Sequence, residues 1–293
     1  MTFYKQPTDH YSRHMKSSST LRRVILAATM LLSAASIFAQ TQQIRVFAHR
    51  GGRLEHDENT LAAFQASADA GYRGFETDIR MTADGHLVVT HDSSLERTTD
   101  GTGAVEHKTL AELRNLHTKG GNRLLTLDEL LDFLDGRDSL YVEFEMKTTP
   151  ADLYPTDRLA EYCEKLYQAV SSRQPQGALY LFTSSDYRGL RHMQAHHPDA
   201  QLLLITSKPV CAETIDLCRT LGIHRLGATM DGTSRQAVRQ AHDAGITVSL
   251  WPGSNTDDFI LGAYLGADYL CTDVPLAVKA FHRSTVPHLR VTY

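Results

Sequence analysis

ALYLFTS (178–184), QLLLITS (201–207), HRLGATM (224–230), ITVSLW (246–251) and ADYLCTD (267–273) are short runs of strand-forming residues. Each is followed by a stretch with helical spacing: Tyr187–His196, Ala212–Leu221, 235–244, 257–265 and 277–282. Gly245 and Gly266 stand where a helix hands over to a strand, the place a left-handed residue ends a helix. Strands separated by whole helices pair in parallel, because a crossover rather than a tight turn joins them.

The alternation extends toward the amino end. IRVFAHRGG (44–52) reads as a strand entering a Gly turn. Residues 59–70 place Leu61, Phe64 and Ala68 on one helical face, and Gly71 ends that helix. GFETDIR (74–80) and HLVVTHD (86–92) read as strands around the turn Ala83-Asp84-Gly85. Residues 99–121 are Gly- and Thr-rich with no clear strand, 127–134 are helical, SLYVEFEMK (139–147) alternates as a strand, and 158–171 form an amphipathic helix. About eight β/α units in about 250 residues predict an α/β fold: a closed (β/α)8 barrel, one domain over residues 40–293, with an insertion at about 93–125. Periodicity does not report closure, so an open doubly wound sheet is the alternative.

The first 39 residues have a different character. Residues 24–38 (VILAATMLLSAASIF) are uncharged and follow Arg22-Arg23, with small residues up to Ala39. A basic start, an apolar run of about 15 residues and a small-residue exit read as a secretory signal peptide, too short to span a bilayer comfortably. An uncleaved anchor is the alternative, and Met15 is a second candidate start. Removal of residues 1–39 takes away five Lys/Arg and one acid, so the formal charge moves from -4 to -8 over 254 residues. The expected product is an exported, periplasmic or secreted, protein with no stable membrane anchor and no basic surface for nucleic acid. Four scattered Cys with no CxxC do not make a disulfide framework. Oligomeric state is not legible.

In a barrel the active site lies where the strands end. Here those ends carry charge: His49-Arg50, Glu76-Thr77-Asp78, His91-Asp92 and Glu143-Phe144-Glu145-Met146-Lys147. Residues two apart on a strand share a face, so Glu76 pairs with Asp78, and Glu143 with Glu145 and Lys147. Phe75, Ile79, Phe144 and Met146 are then free to face the helices. Several acids converging at one end imply a cation, and oxygen ligands suit Ca²⁺ or Mg²⁺. The plainer reading is salt bridging by Arg50 or Lys147. Two His beside acids, Arg and Lys also make an acid–base pair next to a phosphate clamp.

These residues resemble the glycerophosphodiester phosphodiesterase family. The matching words are AHRGG (48–52), ENT (58–60), FETDIRMTADGHLVVTHD (75–92), L-x-R-T-T-x-G-x-G (95–103), TLDELL (126–131), E-M-K (145–147), Trp251 and TDVP (272–275). The likeness runs from about residue 44 to 281. It implies a TIM barrel and hydrolysis of deacylated phospholipids, such as glycerophosphocholine or glycerophosphoethanolamine, to glycerol 3-phosphate and an alcohol. By position it implies Glu76, Asp78 and Glu145 as ligands of one divalent cation, His49 and His91 as catalytic, and Arg50 and Lys147 at the phosphate. Trp251 either walls the substrate pocket or packs the barrel mouth. In the expected scheme the glycerol 2-hydroxyl binds the cation, gives its proton to His49 and attacks phosphorus, His91 protonates the leaving alcohol, and the cyclic phosphate is hydrolysed with roles reversed, the inverse assignment of the two His being the alternative. Which His is base and which is acid stays open.

Departures from the family pattern fall at Asp57, where Pro is usual, and at Glu143, where Asn is common. Glu143 is expected either to add an acid to the metal shell or to pair with Lys147. Glu58 is expected to cap or orient the first helix. Two other functions compete: a lysophospholipase D of the sphingomyelinase D type, and an exported protein that binds phosphodiesters without turnover.

Overall fold

The computed structural model describes residues 1–2 and 43–293. The export segment read at 1–39 falls, from residue 3 on, outside them. Eight strands lie parallel: β1 (Ile44–His49), β2 (Gly74–Met81), β5 (Tyr141–Met146), β6 (Leu179–Ser184), β7 (Leu202–Pro209), β8 (Arg225–Thr229), β9 (Thr247–Gly253) and β10 (Tyr269–Thr272). Each is hydrogen-bonded to the next, and β1 pairs both with β2 and with β10, which closes the ring. The closed barrel is therefore the fold, and the open sheet is excluded.

Helices α1 (Leu61–Asp69), α3 (Leu127–Leu134), α4 (Thr156–Ser172), α5 (Tyr187–His196), α6 (Ala212–Leu221), α7 (Arg235–Asp243), α8 (Thr256–Leu265) and α9 (Pro275–Thr285) sit between and after these strands. Their starts are set locally. Thr60, Ser234 and Asn255 accept backbone N–H groups of α1, α7 and α8. Thr126 and Glu129 form a reciprocal capping box on α3. Gly266 ends α8 at φ 86°, as its place in the sequence implied. No helix among the described residues is long and apolar enough to cross a membrane.

Strand alternation sorts the side chains. Val46, Phe75, Ile79, Val142, Phe144 and Met146 pack outward in one core with Phe64, Leu130, Tyr162 and Leu166 from the helices. Phe47, Tyr141, Leu181, Leu203 and Cys271 point inward and form a separate cluster. Its rings interlock: Phe47 meets Tyr141 edge-on at 5.1 Å, and Tyr141 stacks on Tyr269 at 4.5 Å. Burying a side chain of this size contributes about 1.5–3 kcal/mol, so this cluster is a rigid floor beneath the strand ends.

Residues after β2 leave the ring. β3 (Leu87–Val89) runs antiparallel on the end of β2, and β4 (Leu125–Thr126) pairs with β3. Between them lie isolated bridges, a 3-10 turn (Val105–His107) and the short helix α2 (Leu110–Leu113). The sequence reading did not foresee α2, β4 or β11 (Val291–Thr292), because two to four residues display no period. This excursion looked polar in sequence, yet Val88, Leu95, Val105, Leu113 and Leu124 give it an apolar cluster of its own. Asp57, standing where Pro was expected, fastens it: the carboxylate accepts from Thr118 Oγ1 and, at 2.9 Å, from Asn122 Nδ2.

Candidate active site

The register brings the strand-end residues together. His49 is opposite Glu76, Glu76 opposite Glu143, and Asp78 opposite Glu145. They open into a cavity of about 240 Å³ lined by His49, Arg50, Glu76, His91, Glu143, Glu145 and Lys147 on one side. Ser185, Ile205, Ser207, Gly227, Ser249, Trp251 and Cys271 complete it on the other. All eight candidate site residues lie in this cavity or against it.

Glu76, Asp78 and Glu145 each bring one oxygen to within 4.8 Å of the others. Glu76 Oε1 and Asp78 Oδ1 are buried and have no hydrogen-bond partner, although Lys147 Nζ lies 3.7 Å from Asp78 Oδ1. Buried carboxylate oxygens left bare are costly unless a cation takes them, and an all-oxygen set fits Ca²⁺ or Mg²⁺. Burial pushes Glu76 well above the ordinary carboxylate range, with Asp78 adding to the effect. Burial also works to raise Asp78, but Arg50 and Lys147 outweigh it and hold that group low. The plainer sequence reading is thus also present: Arg50 Nε lies 3.1 Å from Asp78, and Lys147 Nζ lies 2.9 Å from Glu145. Cys271 approaches His49 and Glu76, and burial pushes its thiol up, which disfavours the thiolate in the metal-free chain.

Each His is held by a carboxylate at Nδ1. His49 Nδ1 lies 2.5 Å from Asp273, and His91 Nδ1 lies 2.6 Å from Asp92. An ionised carboxylate only accepts, so Nδ1 carries the proton and Nε2 is left to work in the cavity. His49 Nε2 sits 3.6 Å from Glu76. Burial lowers the His49 pKa below 6.5, and the bond to Asp273 only partly restores it. His49 is therefore a neutral acceptor at pH 7.

The backbone is bent to make this possible. Arg50 adopts φ 52° and Asn59 φ 58°, a left-handed region unusual for residues with a side chain. The Arg50 N–H donates to Glu76 O at 3.0 Å, and Asn59 Nδ2 donates to Asp78 at 2.8 Å. Gly51 follows at φ 78°, where a Cβ would lie 2.7 Å from that of Ala63, so only glycine lets α1 dock here.

The family-defining pattern of the glycerophosphoryl diester phosphodiesterases matches residues 49–277. The chain belongs to this family. As a member it is a hydrolase of phosphoric diesters. A glycerophosphodiester phosphodiesterase of Caldanaerobacter subterraneus is 28% identical over 237 residues, covering 78% of this chain and 94% of its own. The human glycerophosphodiester phosphodiesterase 1 is 41% identical over a shorter stretch of 91 residues, 31% of this chain and 28% of its own. A phosphodiesterase of Oleispira antarctica, solved with the product sn-glycerol-3-phosphate, superposes with a TM-score of 0.74. It is 23% identical over 83% of this chain and 100% of its own, and so speaks to the fold.

Several residues that support this phosphodiesterase site were not assigned from sequence. Asp273 closes strand ADYLCTD, and the strand-end rule applied there as well would have found it. Arg80 is buried: its guanidinium donates to His91 O at 2.9 Å and Lys147 O at 3.1 Å, and pairs with Glu106 at 2.7 Å. It thereby fixes the backbones of two site residues. Arg97, within the quoted L-x-R motif, binds Asp92 at 2.5 Å and Glu58 at 2.7 Å. Glu58 is not a helix cap, since Thr60 is; it bridges Arg97 and Arg50. Glu143 neither joins the metal shell nor pairs with Lys147: its carboxyl is bonded to the Tyr141 hydroxyl on the cavity floor. Trp251 lines the cavity with its Nε1 buried and unpartnered.

Proposed function

We propose that the enzyme hydrolyses glycerophosphodiesters, such as glycerophosphocholine or glycerophosphoethanolamine, to glycerol 3-phosphate and an alcohol, with one divalent cation and two histidines. The observation that carries this reading is the pair of Asp-anchored imidazoles facing one cavity with three convergent acids. Glu76, Asp78 and Glu145 would hold the cation. When bound, it supplies positive charge that neutralises the diester and stabilises the charge that builds at phosphorus.

The chain's own residues do the rest. Asp273 keeps the proton on His49 Nδ1, so Nε2 takes the proton of the glycerol 2-hydroxyl as that oxygen attacks phosphorus. His91, anchored by Asp92 and doubly protonated for this step, gives its Nε2 proton to the leaving alcohol oxygen as the P–O bond breaks and is left neutral. Water then opens the cyclic phosphate with the two roles exchanged, which returns both histidines to their starting forms. Arg50 and Lys147 supply the cationic side of the phosphate clamp. The asymmetry of burial supports His49 as first base: it is the more enclosed of the two, and its pKa is depressed.

The export-type amino terminus supports action outside the cytoplasm on phosphodiesters released there. The test uses metal-stripped protein with each diester, with and without Ca²⁺ or Mg²⁺, and measures glycerol 3-phosphate. Metal-restored release that is lost in His49→Ala and in His91→Ala is expected. Release only from lysolipids would transfer the site to the lysophospholipase D reading. Binding without turnover on any of these substrates would overturn the proposal.

A further inference from the structure

A second set of metal-ligating side chains gathers on the outer layer of the barrel, away from the strand ends. Glu164 comes from α4, His192 and His196 come from α5, and His197 follows directly. His192 and His196 are one helical turn apart, which puts both on one face, and their rings stack at 4.2 Å. Glu164 Oε1 accepts from His192 Nε2 and from His197 Nε2, both at 3.0 Å, so one oxygen gathers two imidazoles across the helix pair, and a cation bound there would take the place of the shared proton. Glu164, His192 and His196 each present a ligand atom within 4.8 Å of the others. Tyr167, a turn beyond Glu164, stacks on His197 at 3.6 Å and fixes that ring against α4.

A second observation separates this cluster from an ordinary salt bridge. His196 Nδ1 is 3.0 Å from the carbonyl of His192. A carbonyl only accepts, so Nδ1 is the protonated nitrogen and Nε2 carries the lone pair. Metal-bound imidazoles are habitually held this way, their other N–H donating to a backbone carbonyl. Imidazole nitrogen with one carboxylate is a Zn²⁺-type donor set, unlike the all-oxygen group at the barrel mouth. Two His at i, i+4 on a helix is also the spacing with which zinc is held on a helix face.

We propose that Glu164, His192 and His196, with His197 within reach, form a second cation site for Zn²⁺ or a similar borderline metal, clamping α4 to α5. The site stands apart from the reaction and acts on stability.

The test compares metal-stripped wild-type protein with His196→Ala and with His192→Ala/His196→Ala. Bound Zn²⁺ is counted by equilibrium dialysis, Co²⁺ is followed by visible absorption, and Tm is measured with and without Zn²⁺. The wild type is expected to bind one more Zn²⁺ per chain than the double variant. It should also show tetrahedral Co²⁺ bands that the double variant lacks, and a Zn²⁺-dependent rise in Tm that is lost in both variants. His196→Ala, an exposed change that leaves folding intact, should weaken this ion by roughly tenfold or more. Turnover with Ca²⁺ or Mg²⁺ should be the same in all three. Equal ion counts and equal Co²⁺ spectra in wild type and His196→Ala would overturn the proposal.

Discussion

The cavity has two unlike halves. β1, β2, β5 and the segments after them contribute His49, Arg50, Glu76, His91, Glu143, Glu145 and Lys147, every one titratable. β6 to β10 and the segments after them contribute Ser185, Ile205, Ser207, Gly227, Ser249, Trp251 and Cys271, all of them uncharged. Both halves rest on the same aromatic floor and the same alternation of side chains. The difference therefore lies in which residue types occupy the inward positions, not in backbone geometry. A charged half suits charge development at phosphorus. A neutral half with one large ring suits discrimination among alcohols, since such contacts bind substrate and transition state about equally.

The comparison is broken most directly in the charged half. Glu76→Gln, or removal of the cation with a chelator, should lower kcat by about 10³-fold or more, and the chelator effect should reverse on adding Ca²⁺ or Mg²⁺. His91→Ala should cost about 10²–10⁴-fold in kcat while equilibrium dialysis still detects diester binding. Equal kcat losses from Trp251→Ala and His91→Ala would erase the division of labour.

Asp273→Asn is the next largest expected change, because the substituted side chain no longer fixes the His49 tautomer. A loss of about 10–100-fold in kcat is expected. The pH profile gives the sign. Burial sets the His49 pKa below 6.5 and Asp273 raises it in part, so activity should fall only as pH drops below that value. Without the carboxylate the larger raising influences are lost and Asp78 is left as a lesser one against burial and Arg50, so the acid limb of kcat/KM should move further down. A bound cation pushes the same way. A limb that stays in place in Asp273→Asn would show that His49 is not the group being titrated.

In the neutral half, Trp251→Ala should raise KM about tenfold for a choline ester, whose cation can lie on the ring. It should change kcat less than threefold.

How much of this was legible follows from the range of each interaction. The parallel alternation, the outward packing of Phe75, Ile79, Phe144 and Met146, and the convergence of Glu76, Asp78 and Glu145 all follow from a period of two within a strand. Arg80 was missed because its partners, the carbonyls of His91 and Lys147 and the carboxylate of Glu106, sit on three separate segments. Asp273 was quoted within TDVP but given no part, since its contact with His49 exists only once the ring closes. Glu143 was misjudged because strand alternation reports a face but not a depth, and depth placed it beside Tyr141 rather than Lys147.

That depth sets the smallest effect. Burial raises the Glu143 carboxyl to about 7 from an ordinary 4.5. Between those values the folded chain keeps a proton that the unfolded chain has released, so stability falls as pH rises through the window. The loss above pH 7 is at most about 3 kcal/mol. Glu143→Gln keeps an acceptor for Tyr141 and removes the titration. Thermal melts of metal-free protein should show a higher Tm than wild type at pH 8 and no difference at pH 4.

The bond between His49 and Asp273 joins positions 224 residues apart. During synthesis, the three acids proposed to hold the cation emerge in the first half of the chain, whereas Asp273, the partner of the proposed base, emerges near its end. A chain halted after β5 has all three acids and neither the closing strand nor an aligned His49. If His49 is the base as proposed, hydrolytic competence reports on completeness: it would begin only when the last barrel strand has docked against the first, and a partly made chain would stay silent.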